Sequence, residues 1–184
     1  MDEFFPSVGD SITIGQIAPL LLGAALLIIA ALHDVAARTI PNWASLCLAG
    51  LGLWLRWQDG HVFTGLILGL IVFCVATFCW LRGWMGGGDV KLLAAAAIFV
   101  PPAHVGNMIL AIAMAGGVVG LFYLASRAWL RRRSATDQSG RRGPRPRRLL
   151  ARVLRAERWR LLRGGPLPYA SAIAAGTLFV IVSG

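Results

Sequence analysis

Two aspartates lie at the ends of apolar segments, where residues of this type could carry out chemistry. Asp34 follows an uncharged run over residues 11–32, and Asp89 precedes another apolar run in the stretch RGWMGGGDVKLLAAAA at 82–97. Two carboxyl groups held close together at one depth cannot both ionise, so one of them keeps a proton. The ionised member can then take a proton from water while the protonated member polarises a carbonyl group. The pattern predicts an acid–base pair.

The positions of the two aspartates on their helices suggest which of them holds the proton. Asp89 would lie at a helix N-terminus, where the dipole favours an anion, and Asp34 at a C-terminus, where it does not. The helix ends therefore favour a proton on Asp34.

The alternative to an acid–base pair is that Asp34 and Asp89 are two acids at the membrane interface, each paired with a basic residue. Asp34 would then pair with Arg38, four residues further along the chain. Asp89 would pair with Lys91 or Arg82.

Three consecutive glycines, Gly86, Gly87 and Gly88, stand directly before Asp89. Because this segment has no side chains, an extended peptide could approach the carboxyl group closely. The alternative interpretation is a flexible turn between two helices. His33 is interpreted as an interfacial residue, since a His/Asp metal centre needs more ligands than this region offers. We therefore expect no metal site.

The elements that would position these residues are membrane-spanning helices. The chain of 184 residues is 57% hydrophobic and only 14% charged, which is typical of an integral membrane protein. Pro101 and Pro102 interrupt the longest apolar stretch, since proline cannot continue a helix. Span four is short, so it would be tilted, shielded by neighbouring helices or partly re-entrant. We predict an all-α bundle with six transmembrane spans, at 11–32, 42–55, 61–81, 90–100, 105–126 and 167–183.

The distribution of basic residues predicts the topology. Of the 18 lysines and arginines, 13 lie between Arg131 and Arg163, and the positive-inside rule places this segment in the cytoplasm. Six spans then put both termini outside and bring both aspartates to the cytoplasmic face. Arg56, at the end of span two, would snorkel outward. Acidic residues rather than basic ones precede the first run, so we interpret it as a retained span and not as a signal peptide.

The basic loop, defined here as residues 131–165, has two parts. The first, RRRSATDQSGRRGPRPRR, is rich in Arg, Gly, Ser and Pro and is expected to be disordered. The second, RRLLARVLRAERWRLLR, places leucines near one face at helical spacing. That pattern predicts a basic amphipathic helix lying on anionic lipid. Nucleic-acid binding is the less favoured alternative, because a membrane surface is already adjacent.

The sequence resembles the prepilin peptidases, or type IV leader peptidases, which are aspartic proteases of bacterial inner membranes. GGGDVKLLAAAA looks like their GxGD motif, and DVAARTIPN looks like the motif that carries their first aspartate. LPYASAIAAG, from Leu167 to Gly176, looks like the closing motif of the short branch associated with tight-adherence (Flp-type) pili. The residues that match the first two motifs are Asp34, Arg38, Ile40, Pro41, Asn42, Gly86, Gly88, Asp89 and Lys91.

The resemblance implies a single membrane-embedded peptidase domain over residues 1–184, with the basic loop inserted before the last span. It implies that Asp34 and Asp89 are catalytic and activate a water molecule between them. The substrates would be type IV or Flp-type prepilins or pseudopilins, cleaved after a glycine at the cytoplasmic face. The residues that would position the substrate are Gly86, Gly87, Gly88, Lys91, Arg38 and Asn42.

The resemblance also bears on cofactors, partners and rival functions. No cofactor is implied, and N-methylation is not expected, because the chain lacks the cysteine-bearing region of the larger bifunctional members. Since leaders are usually basic, the basic loop is assigned to anionic lipid or an acidic partner, not to the substrate or to nucleic acid.

Two other functional classes compete with the peptidase interpretation. One is a proton- or ion-coupled transporter, which the placement of both acids at one face disfavours. Another is a non-catalytic membrane subunit of a secretion or pilus machine.

Overall fold

The protein is built from α-helices. The structure, a computed structural model, describes residues 14–136 and 169–183, and within these ranges no strand occurs. The prediction of an all-α fold is confirmed. The helices are α1 (Ile14–Ala37), α2 (Asn42–Gln58), α3 (Val62–Leu81), α4 (Gly87–Phe99), α5 (Val105–Thr136) and α6 (Tyr169–Ser183), with a 3-10 turn (Pro102–His104) between α4 and α5.

Three segments are long and apolar enough to cross a membrane: Ile17–Ala37, Val62–Leu81 and Pro102–Ser126. Large apolar side chains on them are exposed, Leu21 and Phe63 among them, as expected of surfaces that face lipid. The other helices, α2, α4 and α6, have 17, 13 and 15 residues. By length and composition, therefore, three of the described helices could cross a membrane, and the prediction of six spans stays a prediction.

Prolines and a residue with a left-handed backbone conformation mark the helix boundaries near the candidate site. α1 ends where Arg38 adopts a positive φ of 58°, and the Arg38 N–H still donates to the Asp34 carbonyl at 2.8 Å. α2 begins after Pro41, whose extended backbone has φ −66° and ψ 130°. α4 stops at Val100 because the two prolines that follow cannot continue its hydrogen bonds.

The short helix α4 is enclosed by longer neighbours. It packs chiefly against α2 and α3 and also contacts α6. Glycines allow this close approach: a Cβ at Gly52 on α2 would lie 2.7 Å from the Phe99 backbone, and one at Gly23 on α1 would meet the Phe99 ring. Of the three alternatives for span four, the packing supports shielding by neighbouring helices. The buried apolar residues of α4 are Val90, Leu92, Ala94, Ala95, Ala96, Ala97 and Phe99.

Two helix boundaries and one side chain differ from the sequence-based expectations. α4 begins at Gly87, so the last two of the three glycines are helical and do not form a turn. α5 continues to Thr136, so the first residues of the basic loop are helical and not disordered. Arg56 does not snorkel outward: its side chain is buried and forms a 3.0 Å ion pair with Asp59.

Contacts within the chain divide it into two compact units, residues 1–116 with 168–184, and residues 117–167. The first unit contains α1 to α4, the first part of α5, and α6. The described part of the second unit is the helical stretch 117–136. The amphipathic surface helix that the sequence predicts within 148–163 lies outside the described residues.

Candidate active site

The two aspartates lie in neighbouring helix ends and are both buried. Asp34 is in the last turn of α1 and is 7% exposed, and Asp89 is in the first turn of α4 and is 8% exposed. They are close enough for the charge of Asp34 to act on the ionisation of Asp89. The structure therefore brings together the two carboxyl groups that the sequence places 55 residues apart.

Each carboxyl group accepts a hydrogen bond from a backbone amide. The Gly86 N–H donates to Asp89 Oδ2 at 3.2 Å, so Asp89 caps the helix that it belongs to. The Ala170 N–H donates to Asp34 Oδ2 at 3.3 Å, and this buried bond joins the first turn of α6 to α1. The site is thus assembled from three helices, and α6 contributes although its first turn contains no acid.

The environment of Asp89 favours its neutral form. Asp89 lies outside the three long apolar segments, ahead of the apolar part of α4. Burial and the negative charge of Asp34 raise the pKa of Asp89 to about 6, although its hydrogen bond from Gly86 acts in the opposite direction. Asp34 also accepts a backbone amide, that of Ala170, so a hydrogen bond of this kind does not distinguish the two carboxyl groups. The expectation from the helix ends, a proton on Asp34, stays a prediction.

We predict that the Asp89 carboxyl loses its proton near pH 6 and that Asp34→Asn moves this midpoint to lower pH. The substitution removes one of the two causes that raise the pKa, while burial keeps it above the usual value of about 3.9. Infrared difference spectroscopy across a pH series would follow the protonated-carboxyl band, with Asp89→Asn identifying the band by its loss. An unchanged or higher midpoint in Asp34→Asn would contradict the assignment.

Arg38 and His33 lie close in the chain to Asp34, near the end of α1. The positive charge of Arg38 acts on Asp89 and favours its ionised form. The positive φ of Arg38 is uncommon for a residue with a side chain, and such conformations cluster at functional sites. His33 Nδ1 lies 2.6 Å from the Thr39 carbonyl oxygen, and its interpretation as an interfacial residue stays a prediction. Among the described residues no cluster of three or more His, Cys, Asp or Glu side chains is placed to hold a metal.

Lys91 and Asn42, both predicted to position the substrate, contact each other. Lys91 Nζ donates to Asn42 Oδ1 at 3.0 Å, which links α4 to the first residue of α2. The bond lies at the exposed edge of the site. It therefore connects the two motif segments, one ending at Asn42 and the other containing Asp89.

Lys91→Met is expected to lower kcat/KM for precursor cleavage by less than about tenfold, because an exposed hydrogen bond contributes only about 0.5–1.5 kcal/mol. Adding Asn42→Ala to that variant should lower kcat/KM no further, if the two side chains act through this bond. A double-mutant cycle on kcat/KM measures the coupling. A loss of 100-fold or more from Lys91→Met alone would instead give Lys91 a direct part in the reaction.

The three glycines allow close packing within the site. A Cβ at Gly88 would lie 3.1 Å from the Ile40 Cβ, so the glycine lets the segment after Asp34 pack on the start of α4. A Cβ at Gly86 would lie 3.0 Å from Asp89 Oδ2, and one at Gly87 3.4 Å from Trp80 Nε1. Their role in accommodating substrate stays a prediction.

Sequence reasoning missed the contribution of α6. A backbone amide such as that of Ala170 has no sequence signature, and the resemblance of LPYASAIAAG to a closing motif was the only signal at this position. The preceding residue, Tyr169, interacts electrostatically with Asp89, and its ring contacts Gly116 on α5. The site therefore includes a tyrosine that the motif argument had not assigned.

Comparison with known protein families gives a match that covers the region of the two aspartates. The sequence model of the type IV leader peptidase family matches residues 21–124, which is more than half of the chain and contains both Asp34 and Asp89. No curated protein and no solved structure gave a significant match. On the strength of the family match, the chain belongs to the type IV leader peptidase family.

Proposed function

We propose that the protein is an aspartic endopeptidase that removes the leader peptide of Flp-type or other type IV prepilins, cutting after a glycine at the cytoplasmic face of a bacterial inner membrane. The observation that carries the proposal is the buried pair of carboxyl groups, Asp34 and Asp89, which accept backbone amides from Ala170 in the first turn of α6 and from Gly86 just before α4. Family membership supports leader peptides of prepilins as substrates.

In the proposed reaction the pair starts with one proton, and we place it on Asp89, whose pKa is raised by burial and by the charge of Asp34. Asp34 takes a proton from a water molecule as its oxygen attacks the scissile carbonyl carbon, and Asp89 donates a hydrogen bond and then its proton to the carbonyl oxygen. The tetrahedral intermediate collapses as its C–N bond breaks. Asp34 passes its proton to the leaving amine, and the intermediate's hydroxyl returns a proton to Asp89. The pair regains its starting state, so no cofactor or metal is required.

The remaining features of the proposal concern the membrane. Six crossings would place α2, α4 and α6 across or within the bilayer in addition to the three long apolar segments, with both termini outside and both aspartates facing the cytoplasm. The 13 basic residues between Arg131 and Arg163 support a cytoplasmic loop that contacts anionic lipid. We propose cleavage without N-methylation.

The test is cleavage of an Flp-type precursor by the purified protein in nanodiscs, with mass spectrometry of both products. We expect a single cut directly after the leader's last glycine. A matched precursor in which leucine replaces that glycine should remain uncut. An intact wild-type precursor in the presence of folded enzyme would contradict the proposal. Proton flux into liposomes without cleavage would instead support a transporter.

A further inference from the structure

The first turn of α6 lies at the carboxyl pair. The Ala170 N–H donates to Asp34 Oδ2 in a buried bond of 3.3 Å, and Ala170 itself is fully buried. Tyr169 is the adjacent residue and the first of the helix. Because the backbone at Ala170 is fixed against Asp34, the Cα of Tyr169 is held about 3.8 Å from the Cα of Ala170, one residue away from this hydrogen bond.

The ring of Tyr169 is held against α5. A Cβ added at Gly116 would lie 3.2 Å from Tyr169 Cε2 and 3.5 Å from the Tyr169 hydroxyl oxygen. The ring therefore packs closely on Gly116, and a side chain at this position would crowd it. Tyr169 is only partly buried. Its hydroxyl interacts electrostatically with Asp89. The phenol is therefore held near the pair and keeps an accessible face.

The proposed hydrolysis needs a hydrogen-bond donor for the carbonyl oxygen. That oxygen gains negative charge as water attacks, and fixed donors aimed at developing charge often contribute the largest part of catalysis. A protonated Asp89 supplies one donor, but the oxygen of a tetrahedral intermediate can accept more than one hydrogen bond. A tyrosine hydroxyl stays protonated at neutral pH, so it can donate without placing another charge beside Asp89.

We propose that Tyr169 is a third catalytic residue, whose hydroxyl donates a hydrogen bond to the carbonyl oxygen of the scissile peptide as that oxygen becomes negatively charged. Tyr169 exchanges no proton in this role: the proton transfers remain between water, Asp34, Asp89 and the substrate. The inference rests on the proposed peptidase function and adds to it the residue that stabilises the intermediate.

The primary test is Tyr169→Phe, which removes the hydroxyl and keeps the ring that packs on Gly116. We expect kcat for precursor cleavage to fall by about 10²- to 10³-fold, the usual cost of removing one such donor, with KM changed less than about threefold. The melting temperature should match that of the wild type. Tyr123→Phe makes the same change at the other tyrosine, in the second unit, and should leave kcat within about twofold.

A second pair of variants tests the same hydroxyl without deleting it. Gly116→Ala would press on the Tyr169 ring and should lower kcat, whereas Gly117→Ala meets no atom within 4 Å and should not. In the Y169F background, Gly116→Ala should have no further effect on kcat. An equal loss in both backgrounds would show that Gly116 acts by another route.

The outcomes separate this proposal from the function on which it rests. If wild type cleaves the precursor and Tyr169→Phe retains kcat within threefold, or changes only KM, the catalytic role of Tyr169 is wrong and the peptidase function stands. If folded wild type cleaves no precursor, the peptidase function fails, and the role of Tyr169 fails with it. A large loss of kcat in Tyr169→Phe with unchanged KM and melting temperature supports both.

Discussion

Asp34→Asn and Asp89→Asn are each expected to lower the rate of precursor cleavage by roughly 10³-fold or more, because an amide can neither take a proton from water nor give one to the substrate. The two residues act as one unit, so the double variant should be about as inactive as either single variant. Initial cleavage rates in nanodiscs, at saturating precursor, measure all three.

The fold should survive both substitutions. Asparagine has nearly the shape of aspartate, and its side-chain oxygen can still accept the amide N–H of Ala170 or of Gly86. Thermal unfolding of each variant in the same nanodiscs is the control, with melting temperatures expected within a few degrees of wild type. A well-folded single variant that cleaves within tenfold of the wild-type rate would rule out the aspartic mechanism.

Gly52→Ala is expected to destabilise the protein by about 1–3 kcal/mol, the usual cost of overpacking a well-packed interior. The added Cβ would lie 2.7 Å from the Phe99 backbone nitrogen and Cα, which cannot rotate away as a side chain can. α2 and α4 must therefore separate. Because α4 carries Asp89, cleavage should fall together with stability.

Gly50→Ala, on the same helix, is the matched control. Its Cβ meets nothing within 4 Å, so only the helix propensity changes, and alanine should stabilise α2 by up to about 1 kcal/mol. Melting temperatures in nanodiscs compare the two variants directly. Equal melting temperatures would show that α2 and α4 are not held as closely as the structure indicates.

Apolar runs and prolines predict most of the helices, because both act locally. The runs and the break at Pro101 and Pro102 place six helices near their observed positions. The ends of α4 and α5 were missed for different reasons. The glycines at the start of α4 have low intrinsic helix propensity, but packing against Ile40 and Trp80 holds two of them in the helix. The end of α5 is polar, and hydropathy does not mark where a helix stops once it leaves an apolar stretch.

The two acidic residues of the candidate site could be predicted from the sequence, whereas the backbone contacts that hold them in place could not. Motif spacing and the resemblance identified Asp34 and Asp89, since both are side chains with distinctive chemistry. The amide of Ala170 contributes through its backbone, which every residue except proline can do. The burial of Arg56 was likewise not predictable from the sequence. Its burial depends on Asp59 and on the space left by Gly65 of α3, and neither follows from hydropathy.

The glycine contacts around α4 have a consequence for biogenesis. Gly23, Gly52 and Gly69 lie on α1, α2 and α3, and each of them faces Phe99 or Ile98 in the last turn of α4. With 13 residues α4 is about 20 Å long, too short to cross the roughly 30 Å hydrocarbon core alone. Because the chain is synthesised from its N-terminus, α1, α2 and α3, whose glycines contact the last turn of α4, are made before α4. We therefore expect Asp89 to reach Asp34 only after the first three helices have assembled, so that a partly inserted chain would lack the complete carboxyl pair that the proposed cleavage needs.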